Sequence, residues 1–276
     1  MTTPHERNSN TMTPTTIIRD ARTTTLPDAM ELRHLIERVD YATSSDPGRY
    51  NLNGVFLERG ESPDQVIATA TDGHRLAQAR AIIPGLPLPA RGVIVEADAL
   101  KALKKHLHKK SRGAKIRSTV HELPLGFEFA DEIDRPGFVV SSDATFPNYR
   151  QVIPTKVGPA RQIPREAIEA LRELAGTGGQ VSGRVTIEVR PDVIVLTASR
   201  DIPGGEIGGR ARFELDPAPG FPVVTMNFNG HYLADALEGV PAAALRAPIE
   251  VYDPALVVPA TPSAGEELAV VMPMRA

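Results

Sequence analysis

An α+β fold of two similar domains, each with two helices packed on antiparallel sheets, follows from three features of the sequence. Apolar stripes at helical spacing alternate with short strand-like runs. Helices and runs occur in the same order twice, and 276 residues suit two domains of ordinary size.

Residues 1–25 are rich in threonine and carry almost no apolar pattern, so they are expected to be a disordered tail, with Ile17-Ile18 as a candidate short edge strand. Order is expected from Leu26-Pro27-Asp28, where Asp28 can cap a helix. Leu32, Leu35, Ile36 and Val39 recur at i, i+3, i+4 and i+7, and Ser44-Ser45-Asp46-Pro47-Gly48 ends that helix. Strand-like runs follow at 54–58, 65–69 and 76–82. Val93 and Val95 lead into a second helix with Leu100, Leu103 and Leu107 inward and lysines outward. Three more strands are expected through Ile116, through Phe127 and Phe129, and through 138–140.

The second half repeats the order. Ile163-Pro164 opens a helix carrying Ile168, Leu171 and Leu174, stopped by Gly176-Thr177-Gly178-Gly179. Residues 185–189 and 193–196 form a hairpin pattern, and Val224 and Met226 lead to a helix with Leu233, Leu237 and Val240. Ile249 with Val251, then 256–258, then 270–272 are the last strand candidates. Val95 precedes Leu100, and Phe228 precedes Leu233, by the same five residues at a strand-to-helix junction. Such repetition favours stacking into an extended or closed assembly.

Composition narrows the function. Zero cysteines exclude a disulfide scaffold, thiol catalysis and cysteine-ligated zinc. No apolar run reaches membrane-spanning length and no secretion signal is evident, so a cytoplasmic protein without membrane contact is expected. The net charge of −3 opposes coating of nucleic acid through the overall field. Locally, Lys101, Lys104, Lys105, Lys109, Lys110, Arg112, Lys115 and Arg117 run without an acid among them. That is either a solvated helix face or a phosphate-facing patch.

Catalytic and metal chemistry finds little support. Asp72 and His74, two apart on a tight Asp-Gly turn, rarely hold dyad geometry, and no nucleophile elbow is present. His106 and His108 diverge on a helix and make a poor metal pair. Gly204-Gly205-Glu206-Ile207-Gly208-Gly209 is not followed by a helix and reads as a turn with bulges. No cofactor is expected, and no enzyme.

Three separated segments carry more information. Ala70-Thr71-Asp72-Gly73-His74-Arg75-Leu76 is a hairpin turn by itself; Phe146-Pro147-Asn148-Tyr149-Arg150 is a rigid crossing flanked by aromatics; Val270-Val271-Met272-Pro273-Met274-Arg275-Ala276 is a short strand with an apolar end. In this order and spacing, with Arg49-Tyr50-Asn51-Leu52-Asn53-Gly54-Val55 and Leu26-Pro27 ahead of them, the chain resembles the bacterial DNA polymerase III beta sliding clamp family over about residues 26 to 276.

The resemblance implies two DNA-clamp-type domains, 26–148 like that family's middle domain and 149–276 like its C-terminal domain. The family's N-terminal domain is expected to be missing, because the tail is too short to supply it. It further implies a non-catalytic, DNA-encircling processivity factor. Polymerase and repair partners would insert a Gln-Leu-x-Leu-Phe-like peptide into a pocket formed by Leu52, Thr71, Gly73, His74, Arg75, Leu76, Pro147, Val152, Val271, Met272, Pro273, Met274 and Arg275. Double-stranded DNA, without sequence readout, would meet Arg49, Tyr50, Asn51, Lys101, Lys104, Lys105, Lys109, Lys110 and Arg112. A clamp loader is a further implied partner.

The chain departs from the family in places. Gln151 stands where the pocket has an arginine, residues 202–209 hold only Glu206 where an acidic edge is typical, and 232–237 carries Asp235, with Glu238 beside it, and no lysine. A homotrimeric ring is the expected assembly. The alternative is an open, non-encircling module that competes for clamp partners.

Overall fold

The structure, a computed structural model, describes residues 23–26, 29–108, 118–123, 126–130, 136–177, 183–202, 205–246, 248, 253–260 and 267–274. Its first half runs β1 (Thr23–Leu26), α1 (Met30–Glu37), β2 (Gly54–Arg59), β3 (Gln65–Thr71), β4 (Arg75–Ile82), β5 (Val93–Glu96), α2 (Ala97–His108), β6 (Ser118–Leu123), β7 (Gly126–Ala130) and β8 (Pro136–Ser141). The second half follows the same order: β9 (Ala160–Gln162), α3 (Arg165–Thr177), β10 (Arg184–Val189), β11 (Val193–Ile202), β12 (Gly205–Glu214), β13 (Val224–Asn229), α4 (Gly230–Gly239), β14 (Ala243–Arg246), β15 (Ala255–Pro259) and β16 (Leu268–Val271). Short 3-10 turns at Asp40–Ala42, Pro47–Leu52 and Tyr149–Val152 complete the path.

This is an α+β fold with antiparallel sheets. Two four-stranded sheets, β1-β6-β7-β8 and β12-β11-β10-β13, flank an eight-stranded sheet ordered β5-β2-β3-β4-β16-β15-β14-β9. The long sheet is two four-stranded sheets joined edge to edge. Its middle seam, β4 against β16, pairs Leu268 with Gln78, Ala269 with Ala77, Val270 with Leu76 and Val271 with Arg75.

Each half buries its own core. The stripe on α1 delivers Leu32, Leu35 and Ile36, with Val39 just beyond, onto Val55, Leu57, Ala68 and Ala79. On the other side α3 contributes Ile168, Leu171 and Leu174, and α4 contributes Leu233 and Leu237, against Val185, Ile187 and Phe228. Asn229 caps α4 by accepting from the amides of His231 (3.0 Å) and Tyr232 (3.3 Å). A third, smaller core of Leu76, Ile94, Phe146, Tyr149, Leu256 and Val270 lies under the seam.

Several expectations need correction. Thr23–Leu26, the end of the segment expected to be disordered and the start of the first domain, form edge strand β1 on β6, because β-branched threonines suit a ladder that needs only backbone partners. The glycine-rich stretch 205–209 is not a bulged turn but the start of β12, paired with β11 in unbroken register from Ile202–Gly205 to Val193–Glu214. Gly209 is needed there for closeness: a Cβ would lie 2.6 Å from Cδ2 of Leu174 on α3. The α1 N-cap position is Ala29, which makes no side-chain cap bond. Beyond the described residues lie Asp28, Ile17-Ile18, Ile116, Ile249 and Val251; the first strand after α4 is β14.

Gly54 marks the tightest backbone approach in the first half. A Cβ there would sit 2.4 Å from the carbonyl oxygen of Val95 and 2.9 Å from Cα of Glu96, neither of which can rotate away. Gly54→Ala is expected to lose about 1–3 kcal/mol through overpacking. In urea unfolding this appears as a lower midpoint at unchanged slope.

Candidate peptide-binding groove and charged surfaces

The turn from β3 to β4 is locked by its own side chains. Asp72 Oδ1 accepts from the amides of His74 (2.9 Å) and Arg75 (3.0 Å), while Thr71 Oγ1 donates to the Arg75 carbonyl (2.7 Å) and accepts from the Gly73 amide (3.1 Å). Gly73 has φ +88°, the left-handed region that the Asp-Gly pair supplies. These bonds occupy Asp72, and His74 Nδ1 stands 4.0 Å from it on an exposed ring. No oriented base results.

Arg75 then ties the turn to the second half. Its Nε meets Asp72 Oδ2 at 3.0 Å, its Nη1 binds Asp235 on α4, and its guanidinium lies 4.3 Å from the Tyr232 ring centroid and 5.5 Å from that of Tyr41. Arg172 on α3 continues the network, with Nη2 2.7 Å from Asp235 and 2.6 Å from Glu238. The hydrogen bond from Arg172 holds the Glu238 carboxyl below its ordinary range and so favours its charged form.

The crossing segment is seated by aromatics. Phe146 stacks on Phe56 with centroids 4.9 Å apart and planes 4° from parallel, and meets Tyr149 edge-on at 6.2 Å. The Tyr149 hydroxyl donates to Glu58, which also receives Arg150 Nη2 at 2.7 Å. Burial, then the Glu58 bond, pushes the Tyr149 phenol up to about 12. The C-terminal segment is pinned by its backbone: the Met272 amide donates to the His74 carbonyl (2.9 Å) and the Met274 amide to the Asn227 carbonyl (2.7 Å).

Together these segments enclose a groove of about 160 Å³ lined by Leu52, Thr71, Gly73, His74, Arg75, Leu76, Pro147, Asn148, Tyr149, Gln151, Val152, Val270 and Met272. That is smaller than the roughly 300–1,000 Å³ of a small-molecule site and suits side-chain anchors. Val152 and Met272 are exposed, and the polar groups of His74, Asn148 and Gln151 stand among the apolar lining.

Of the residues expected there, Val271 is instead fully buried in the second core; Pro273 and Met274 continue past the groove without lining it, and Arg275 lies outside the described residues. Val270, Asn148, Tyr149 and Gln151 are the additions. Strand alternation signals the first, since Val270 and Met272 share one face and Val271 takes the other.

The residues expected to meet DNA lie on separate elements. Arg49 donates to the Asp72 carbonyl (2.9 Å) beside the groove, Tyr50 is 68% exposed, and Asn51 is half-buried. On α2, Lys105 is exposed and Lys101 pairs loosely with Asp98 at 3.3 Å. Lys104 binds Asp40, which removes part of its charge from any external partner. Lys109, Lys110 and Arg112 lie outside the described residues. Among the described residues no group of three or more His, Asp or Glu could hold a metal, and no helix is long and apolar enough to cross a membrane.

Comparison with known proteins gives one consistent result. Residues 26–147 match the family described as DNA polymerase III beta subunit, central domain. A beta sliding clamp of Caulobacter vibrioides is 29% identical over 213 residues, 75% of this chain and 54% of the relative. One from Rickettsia bellii is 22% identical over 258 residues, 89% of this chain and 65% of the relative. A C. crescentus beta sliding clamp structure superposes with a TM-score of 0.73 at 26% identity, covering 93% of this chain and 65% of that one. A Bartonella birtlesii sliding clamp bound to griselimycin gives 0.72 at 24% identity, over 92% and 66%. The chain thus spans about half the length of the first curated relative and about two thirds of these structures.

The raised phenol carries a pH signature. Tyr149 titrates near 12 when folded against about 10 unfolded. Its contribution is therefore complete below about pH 10 and is lost as pH rises towards about 12. Tyr149→Phe is expected to flatten the alkaline fall of the urea midpoint over that window, leaving the contribution of buried Tyr41, whose phenol is also raised.

Proposed function

We propose, for a chain that belongs to the DNA polymerase III beta sliding-clamp family, that it is a non-catalytic, clamp-like processivity factor acting in the cytoplasm. In this reading two clamp domains, 26–148 and 149–276, hold a groove at their junction that captures short peptides of polymerase and repair proteins. Three copies close a ring around double-stranded DNA without reading its sequence, with a clamp loader as the agent that opens it.

The observation that supports this best is the groove itself. Three segments far apart in sequence line one apolar cleft, and the Met272 amide bonded to the His74 carbonyl holds the last of them in place. Leucine and phenylalanine anchors entering it gain roughly 3–6 kcal/mol from leaving water, before ordering costs. Such binding is exchangeable, as partners that take turns require.

Met272→Ala is expected to weaken a fluorescent Gln-Leu-x-Leu-Phe peptide about tenfold in anisotropy titration, equivalent to about 1.4 kcal/mol. Met272 is 41% exposed, so the melting temperature should hold. Leu76, 2% exposed in the junction core, is the wrong site for this test. Unchanged affinity for Met272→Ala would remove the groove from the function.

The second reading, an open peptide-binding module, is favoured by the engagement of Lys104 with Asp40 and by the lysine-free α4. Native mass and retention on circular DNA separate the two. A trimer retained on closed circles supports the ring; a monomer that binds peptide and slips off supports the module.

A further inference from the structure

The arginines at and beside the groove, Arg49, Arg75 and Arg150, each face a carboxylate of this chain. Arg49 Nε stands 3.5 Å from Asp46 Oδ2, and Arg150 Nη2 meets Glu58 Oε1 at 2.7 Å. Among the described lining residues Arg75 is the only arginine or lysine, and no aspartate or glutamate accompanies it. Its guanidinium meets two carboxylates, Asp72 through Nε and Asp235 through Nη1, with the Tyr232 ring against its face.

The two carboxylates differ in their other duties. Asp72 is required by its own turn, where it accepts the amides of His74 and Arg75. Asp235 sits on α4, outside the groove lining, and divides its oxygens between two arginines: Oδ2 takes Arg75 and Oδ1 takes Arg172. Arg172 is also bound by Glu238, whose charged form it favours. Two arginines therefore face three carboxylates. The side chains of Arg75, Asp72 and Asp235 are only 11%, 13% and 24% exposed, so solvent screens them weakly.

We propose that Asp235 is a positioning residue that sets the specificity of the groove: by occupying the Arg75 guanidinium it selects peptides that are uncharged between their apolar anchors. The inference rests on the peptide-groove reading and adds the chemical class of the peptide. An acidic side chain entering the groove must displace Asp235 from Arg75, and that carboxylate then competes with Glu238 for Arg172 alone. An amide or hydroxyl needs no such exchange, because His74, Asn148 and Gln151 stand in the lining as neutral partners. Discrimination of this kind comes from a repulsive element, here the third carboxylate of the cluster.

Two fluorescent peptides, Gln-Leu-Ser-Leu-Phe and Gln-Leu-Asp-Leu-Phe, measure the preference as a ratio of affinities. They are titrated into the full chain at about pH 8, above the range in which histidines ordinarily titrate. The unsubstituted chain should bind the serine peptide at least as tightly as the aspartate peptide. Asp235→Asn keeps the size and one acceptor oxygen, and should move the ratio about threefold towards the aspartate peptide, less in high salt. Asp235→Glu, which retains the charge, should restore the ratio. Glu169→Gln removes an equal charge from α3, where Glu169 pairs with Arg165, and should leave the ratio unchanged. Adding Arg75→Gln to Asp235→Asn should cancel the shift, because the effect passes through that guanidinium.

Three results would overturn the proposal and leave the groove in place. They are a preference of the unsubstituted chain for the aspartate peptide, equal weakening of both peptides by Asp235→Asn, and an equal shift from Glu169→Gln. Should Asp235→Asn not fold, the ratio in the unsubstituted chain decides. Failure of both peptides to bind the unsubstituted chain removes the groove reading, and this inference with it.

Discussion

The ladder between β4 and β16 is the constraint on which the rest of the molecule depends. Four residue pairs turn two four-stranded sheets into one eight-stranded sheet and fix the two cores relative to each other. The same strands carry the groove: β4 leaves the Thr71–Arg75 turn as it enters the seam, and β16 leaves the seam as it delivers Met272 to His74. A slip of one residue would exchange Val270 for Val271 on the groove face, because side chains alternate along a strand. Register and binding surface are therefore set by one set of hydrogen bonds.

Polar contacts around the seam reinforce that register more than they add stability. Arg75 is held between Asp72 of its own turn and Asp235 of α4, and Arg38 in the first half reaches Glu267 in the second at 2.5 Å. Glu267 is 6% exposed, and its Oε2 has no hydrogen-bond partner among the described residues. A pair with only one partner buried and one oxygen unsatisfied gives little net free energy, since desolvation offsets attraction. What it penalises is any arrangement in which either partner is left alone. The apolar contribution comes from Phe146, Tyr149, Leu256 and Val270 beneath the ladder.

Much of the element order was legible from periodicity. The stripe of Leu32, Leu35 and Ile36 and that of Ile168, Leu171 and Leu174 both proved to be helical core faces. The aromatic crossing at 146–150 proved to be seated between the two halves. What stayed hidden depends on distant neighbours. Gly205–Gly209 looks like a turn until α3 is placed against it, because only Leu174 shows why a glycine must stand at 209. Thr23–Leu26 is too short and polar to announce a strand, yet β6 supplies all its partners. The tie between Lys104 and Asp40 spans separate elements and has no local signal. In the groove, residue types pointed to the right segments, but the strand parity at Val270 and Val271 had to come from the ladder.

The groove draws no lining residue from β8 or β12, the terminal strands of the flanking sheets. The groove forms where an edge of the β4 type already meets an edge of the β16 type, inside one chain, with the crossing segment 147–152 closing one wall. At the outer edges, β8 and β12, the described residues supply no such crossing segment. One groove per chain then follows from connectivity.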